Sequence, residues 1–202
     1  MRPDQQGFIA GVIAALITSD WRVGVLGPGD SAEARAARLG FLNGAVYFCG
    51  LCLPYHGPSV DYPLYQELPS GASVQEAQLA VQALSDQAVK TIYLPAGVLT
   101  AELVPILAQL KANLIGSGAP PAELAPQWAV TIQSDPLPGI LEVLPLLLAG
   151  QGGHTRELAL LLSDVNPDLL SEGRQARAQE ILADLLDGYI DTGVDPLSGE
   201  SR

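Results

Sequence analysis

Residues 73–94, SVQEAQLAVQALSDQAVKTIYL, hold a helix start, an apolar helical stripe and a strand in one short run. Ser73 and Glu76 have capping-box spacing, in which the serine hydroxyl accepts from the amide of residue 76 and the glutamate reaches back to the amide of residue 73. Ala77, Val81, Leu84 and Ala88 follow at helical intervals, and Lys90 to Leu94 then reads as a strand. A helix delivered so quickly into a strand is half of a crossover unit, and the question becomes whether the pattern repeats.

It does so in both directions. Downstream, Thr100 caps a helix to about Lys111, and a strand beginning at Asn113 ends in Gly116-Ser117-Gly118. Trp128 to Gln133 alternates as a strand, Asp135-Pro136 opens a helix to Ala149 that Pro145 should kink, and Leu158 to Leu162 is a last strand. Ala178, Ile181, Leu182, Leu185 and Leu186 form an amphipathic final helix that Gly188 ends. Upstream, Trp21 to Gly27 is a strand, Pro28-Gly29 turns, and Asp30 with Glu33 caps a helix to about Tyr47. Residues 5–19 are apolar on most sides, with small Ala and Gly suited to close packing on a sheet, and 63–68 is one more strand. Between them, 48–62 reads as an irregular loop.

Alternating strands and helices at this spacing predict a three-layer α/β fold, a mostly parallel sheet with helices on both faces. Residues 1–190 are expected to form one domain, or a lobe at about 1–133 followed by part of a second lobe at about 134–190, with 191–202 a flexible tail. Ligands of such sheets sit beyond the carboxyl ends of the strands. The candidate ligand-binding residues are therefore Gly27, Gly29, Asp30, Gly97, Ser117 and Asp135.

Composition narrows the partners. Twenty-two acidic residues against ten basic ones give a formal charge of −12, which repels nucleic-acid phosphates and anionic lipid alike. The longest early apolar run, Phe8 to Ile17, is well short of the roughly 20 residues that cross a bilayer. It lacks the charged start and small-residue cleavage site of a signal peptide, so the chain is expected to be cytosolic or cut from a longer precursor.

Two motifs carry candidate chemistry. Gly27-Pro28-Gly29-Asp30-Ser31-Ala32 fits the dinucleotide fingerprint G-x-G-x-x-A, but Asp30 puts a carboxylate where a pyrophosphate would rest, and no acid lies about 20 residues on for a ribose. A tight turn with a capping aspartate is the plainer account, and a nucleotide-dependent enzyme is the alternative. Cys49-Gly50-Leu51-Cys52 with His56 permits a redox dithiol, a zinc site completed by His154 or a carboxylate, a local disulfide, or idle thiols. Leu53-Pro54 cannot continue a helix, which disfavours the dithiol. No nucleophile, histidine and acid are grouped for catalysis, and no cofactor is expected.

Three segments resemble one family. Gln6-Gly7-Phe8-Ile9-Ala10-Gly11, Val23-Gly24-Val25-Leu26-Gly27 with Asp30, and Gly40-Phe41-Leu42-Asn43-Gly44-Ala45 resemble the second-lobe motifs of the basic membrane protein (BMP) family of substrate-binding lipoproteins. The resemblance implies a type I periplasmic-binding-protein-like fold with two lobes closing on a ligand, often a nucleoside, for delivery to an ABC transporter permease. It also implies an extracytoplasmic, lipid-anchored precursor and a non-catalytic role. At the ligand-facing loops the chain departs from the family pattern. Pro95-Ala96-Gly97-Val98 stands for a glycine-rich turn, Gly116-Ser117-Gly118-Ala119-Pro120 for a segment with a ribose-gripping aspartate, and Ser134-Asp135 where a lysine is expected. A surface left by a missing lobe would be covered by forming a homodimer, and a module that only mediates such contacts is the remaining alternative.

Overall fold

The computed structural model describes residues 2–54, 57, 60–153 and 156–202. In chain order the elements are α1 (Pro3–Ile17), β1 (Val23–Gly27), α2 (Ala32–Cys49), β2 (Leu64–Glu67), α3 (Val74–Asp86), β3 (Thr91–Leu94), α4 (Leu103–Ala108), β4 (Asn113–Gly116), a 3₁₀ turn (Ala122–Gln127), β5 (Trp128–Asp135), α5 (Leu137–Leu148), β6 (Ala159–Ser163) and α6 (Glu172–Leu186). The strands form one sheet in the order β2-β1-β3-β4-β5-β6, parallel throughout except where β6 runs against β5. The mostly parallel three-layer α/β architecture expected from the sequence is thus observed.

Side chains alternate across the central strands, and the core divides accordingly. On one face Val25, Tyr93, Ile115 and Ile132 meet Phe8, Ile9, Ile13 and Phe41 of α1 and α2 and Ile181 of α6. On the other, Leu26, Ile92, Leu94 and Leu114 meet Leu84, Leu107 and Trp128 beneath α3 and α4. Burial on both faces explains why β1 and β3 lack the polar alternation of an exposed strand: every residue of both is buried.

The glycines of α1 pack on a second helix while the rest of the helix lies on the sheet. Gly7 and Gly11 on α1 face Gly40 and Gly44 on α2, and a methyl group on any of the four would enter the other helix's backbone: Ala37 O for Gly7, Phe41 O for Gly11, Asp4 O for Gly40 and Phe8 O for Gly44. Two glycines four apart on each helix let the axes approach closely. The expected packing of α1 on the sheet is observed, through Phe8, Ile9 and Ile13, and the glycines add a close contact with α2 that the sequence did not announce.

The capping box at α3 is formed. Ser73 Oγ accepts from Glu76 N at 3.3 Å, and Glu76 accepts from Ser73 N at 2.8 Å. Replacing Ser73 with alanine should lower stability by about 1 kcal/mol, read as a small fall in the urea midpoint; an unchanged midpoint would show the cap to be idle. At α2 the cap is Ser31, whose Oγ accepts from Ala34 N at 3.1 Å, and not the expected Asp30, which lies one residue too early and is exposed.

The closing residues are not a loose tail. Thr192 is buried and donates to the Asp4 carboxylate at 2.9 Å, Asn43 donates to Thr192 O at 2.8 Å, and Arg35 to Ser198 O at 3.1 Å. Val194, fully buried, bridges to Ser201. The polar composition that suggested disorder supplies the hydrogen bonds that fasten this segment over α1 and α2.

Candidate ligand cleft at the strand ends

Five parallel strands, β1 to β5, end on the same edge of the sheet, and the loops that leave them shape whatever can bind there. β1 ends at Gly27, whose carbonyl accepts from Leu68 N at 3.0 Å and ties the β1 and β2 exits together. The space a side chain at Gly27 would take is already filled by Pro95, whose Cγ lies 3.0 Å from that position. Gly29 lies against the Glu67 carboxylate. Glu67 is ion-paired with Arg38, whose guanidinium stands 4.6 Å above the Tyr65 ring. The glycines of the first turn therefore meet protein groups, and Arg38 beside them is already engaged.

The β3 exit is open. Gly97 has φ +84°, a backbone conformation that favours glycine, and nothing lies within 4 Å of where its side chain would be. It lines a cleft of about 40 Å³ with Pro28, Leu68, Ser70, Thr100 and Glu102. These lining residues include a carboxylate and no lysine or arginine.

At the β4 exit Ser117 Oγ pairs with the hydroxyl of Tyr93 at 3.0 Å, and Tyr93 stacks on Phe41 with ring centroids 5.7 Å apart. Burial pushes the Tyr93 phenol well above its ordinary pKa, the Ser117 hydrogen bond offsetting only part of this, so it remains a neutral hydroxyl. Gly118 is bare on its side-chain face, while Gly116 packs on the Trp128 ring. At the β5 exit Asp135 Oδ1 accepts from Leu137 N at 3.0 Å and holds the first turn of α5. The buried Ser134 Oγ beside it has no hydrogen-bond partner among the described residues.

Of the six sequence-derived candidates, only Gly97 lines this cleft; Gly27 lines a neighbouring crevice with Arg38 and Pro95. Gly29 is packed, Asp30 is exposed, and Ser117 and Asp135 hold their own loops. Leu68, Ser70, Thr100 and Glu102 were not singled out. The signal was available in part, because β2 lies parallel beside β1 and its exit loop, Pro69 to Ala72, had to share the edge.

Cys49 and Cys52 are bridged by a disulfide, with Cα atoms 5.1 Å apart, at the end of α2. Both sulfurs are thereby engaged and neither is a zinc thiolate here. His56 and His154 lie outside the described residues, and no group of three metal-ligating side chains occurs among the described ones. No described helix is long and apolar enough to cross a membrane.

Comparison with known proteins places the architecture. No family model and no curated protein matches the sequence. Solved structures do. The chain is similar to an ABC transporter solute-binding protein from Conexibacter woesei (TM-score 0.71, 20% identity, 94% of this chain and 62% of that one). The fold is periplasmic-binding-protein-like. A second solute-binding protein of an ABC transporter system, from Aeropyrum pernix, aligns at TM-score 0.58 and 15% identity over 94% of this chain and 59% of that one. A transcriptional activator of the comK gene from Bacillus halodurans aligns at 0.64 and 14% over 93% and 64%. The chain thus spans about six tenths of the length of the structures it matches. Because transporter components and a transcriptional activator share the fold, the cleft and not the architecture must argue the role.

Proposed function

We propose that the chain is a ligand-binding lobe of a solute-binding component of an ABC-type uptake system, related to the basic membrane protein lipoproteins, non-catalytic and working outside the cytoplasm beside a permease. The observation that carries this reading is the open β3 exit, where Gly97 lines a cleft at the carboxyl edge of a parallel sheet with no basic side chain among its lining residues. A lining of backbone, Ser70, Thr100 and Glu102 suits a neutral, hydroxyl-bearing solute such as a nucleoside or a sugar. About 40 Å³ is far below the roughly 300–1,000 Å³ of a deep small-molecule site, so the cleft grips one hydroxyl-bearing edge of the solute and this chain by itself binds it weakly but saturably.

The nucleotide-dependent alternative is weakened by the same geometry. A phosphate group wants backbone amides and free positive charge at the Gly27–Ala32 turn; that turn carries the exposed Asp30 carboxylate, and the neighbouring Arg38 is already paired with Glu67. Isothermal titration of the purified chain with adenosine, guanosine, uridine, D-ribose and D-galactose should give saturable heat with at least one, abolished by Gly97→Trp, which fills the cleft. Silence from all five, or tight binding of ATP or NAD instead, would sink the solute-binding reading.

A further inference from the structure

α5 is the one long helix of the described structure with no buried residue. Its Leu137, Ile140, Leu141, Leu144, Leu147 and Leu148 are between 47% and 81% exposed. Leu137, Leu141, Leu144 and Leu148 are spaced by four, three and four, the alternation that keeps a stripe facing a partner helix. Beside that ridge runs an apolar groove of about 270 Å³, floored by Gly139, Val143 and Leu158. We infer that α5 is a self-association surface whose occupant is the α5 of a second copy of this chain.

Three observations favour a second copy. The face carries both a ridge and an adjoining groove, the two elements that a self-complementary two-fold interface needs. It is also neutral: α5 holds a single charge, Glu142, and that is paired with Arg156 at 2.7 Å. Two chains of net charge −12 repel over most of their surfaces, and here they can meet without burying unpaired charge. Finally, the six side chains expose on the order of 600 Å² of apolar surface, at the upper end of what monomers carry and most of the about 800 Å² per partner of a standard interface. None of this depends on what the strand-end cleft binds.

Sedimentation velocity of the full 202-residue chain over a micromolar concentration series should give a species of twice the monomer mass. Leu141→Glu with Leu144→Glu should raise the dissociation constant at least about 100-fold, while the far-UV spectrum, and the thermal midpoint at dilutions where both proteins are monomeric, stay unchanged, since neither side chain is buried in the core. Leu79→Glu on α3, replacing a leucine equally exposed but remote from this face, should leave the dimer intact. A wild-type chain that stays monomeric throughout overturns the inference, as does a dimer that survives the double substitution or is lost equally with Leu79→Glu.

Discussion

Gly11→Val should remove a large share of the chain's stability and bring its unfolding transition to a far lower urea concentration. The first carbon of that side chain would lie against Phe41 O and 2.6 Å from Ala45 N, so the obstacle is the backbone of α2 and no rotamer relieves it. Relief requires α1 and α2 to separate, and that separation opens the shared core of Phe8, Ile9, Ile13 and Phe41. Overpacking of a side chain usually costs roughly 1–3 kcal/mol because neighbours can shift. Here four glycines interlock, and moving one contact strains the other three. A loss of at least about 4 kcal/mol is expected, against a total of roughly 5–15 kcal/mol for a domain. The measurement is urea denaturation followed by circular dichroism. Gly173→Ala on α6, where nothing lies within 4 Å of the added methyl, supplies the contrast and should leave the midpoint equal or slightly higher. A Gly11→Val protein that unfolds at the wild-type midpoint would mean that the helices are not in contact along this line.

Asp4→Ala is the second change with a large expected effect. The Asp4 side chain is wholly buried, yet it is held as an ion by Arg2 at 3.0 and 2.8 Å and by the Thr192 hydroxyl at 2.9 Å. Burial alone would raise its pKa. The hydrogen bonds from Arg2 and Thr192, with the charge of Arg2, outweigh that and bring the carboxyl below its ordinary value. Alanine would leave the Thr192 hydroxyl without its acceptor, leave Arg2 only its longer ion pair with Glu157 at 3.9 Å, and loosen the closing segment, at a cost of about 2–4 kcal/mol.

The same site fixes the acid limb of stability. A carboxyl whose folded pKa is depressed contributes fully above its unfolded value of roughly 4 and loses that contribution as pH falls through the folded one. Wild type should therefore lose more stability between about pH 5 and pH 3 than Asp4→Asn, in which the position no longer titrates. Parallel pH profiles for the two proteins, from urea midpoints at each pH, would show that Asp4 is not held as an ion.

The architecture was legible because it is written in local signals. Ser73 with Glu76 starts α3, the β-rich run ending in Leu94 makes β3, and the repetition of that pair implies the parallel sheet. What escaped reading depends on contacts distant in sequence. Nothing near Gly11 announces that Phe41 will lie against it, and nothing near Thr192 announces Asp4. The antiparallel turn of β6 was equally hidden, since Leu158 to Leu162 reads the same in either direction. The site was partly legible for the same reason. Strand ends could be located, and Gly97 among them, but whether a strand-end glycine is empty or filled is decided by Pro95 and Glu67, side chains that approach from other loops.

The bond between Thr192 and Asp4 also orders events in time. At synthesis rates of roughly 5–20 residues per second, α1 emerges about 10–40 s before the residue that completes the pocket around its carboxylate. Over that interval the helix carries an ion held by Arg2 and the Gln5 amide but not yet by Thr192, and its apolar faces await strands not yet made. Residues 3–49 suffice for the α1–α2 pair to assemble, but the pocket around the Asp4 carboxylate closes only when Thr192 has been made.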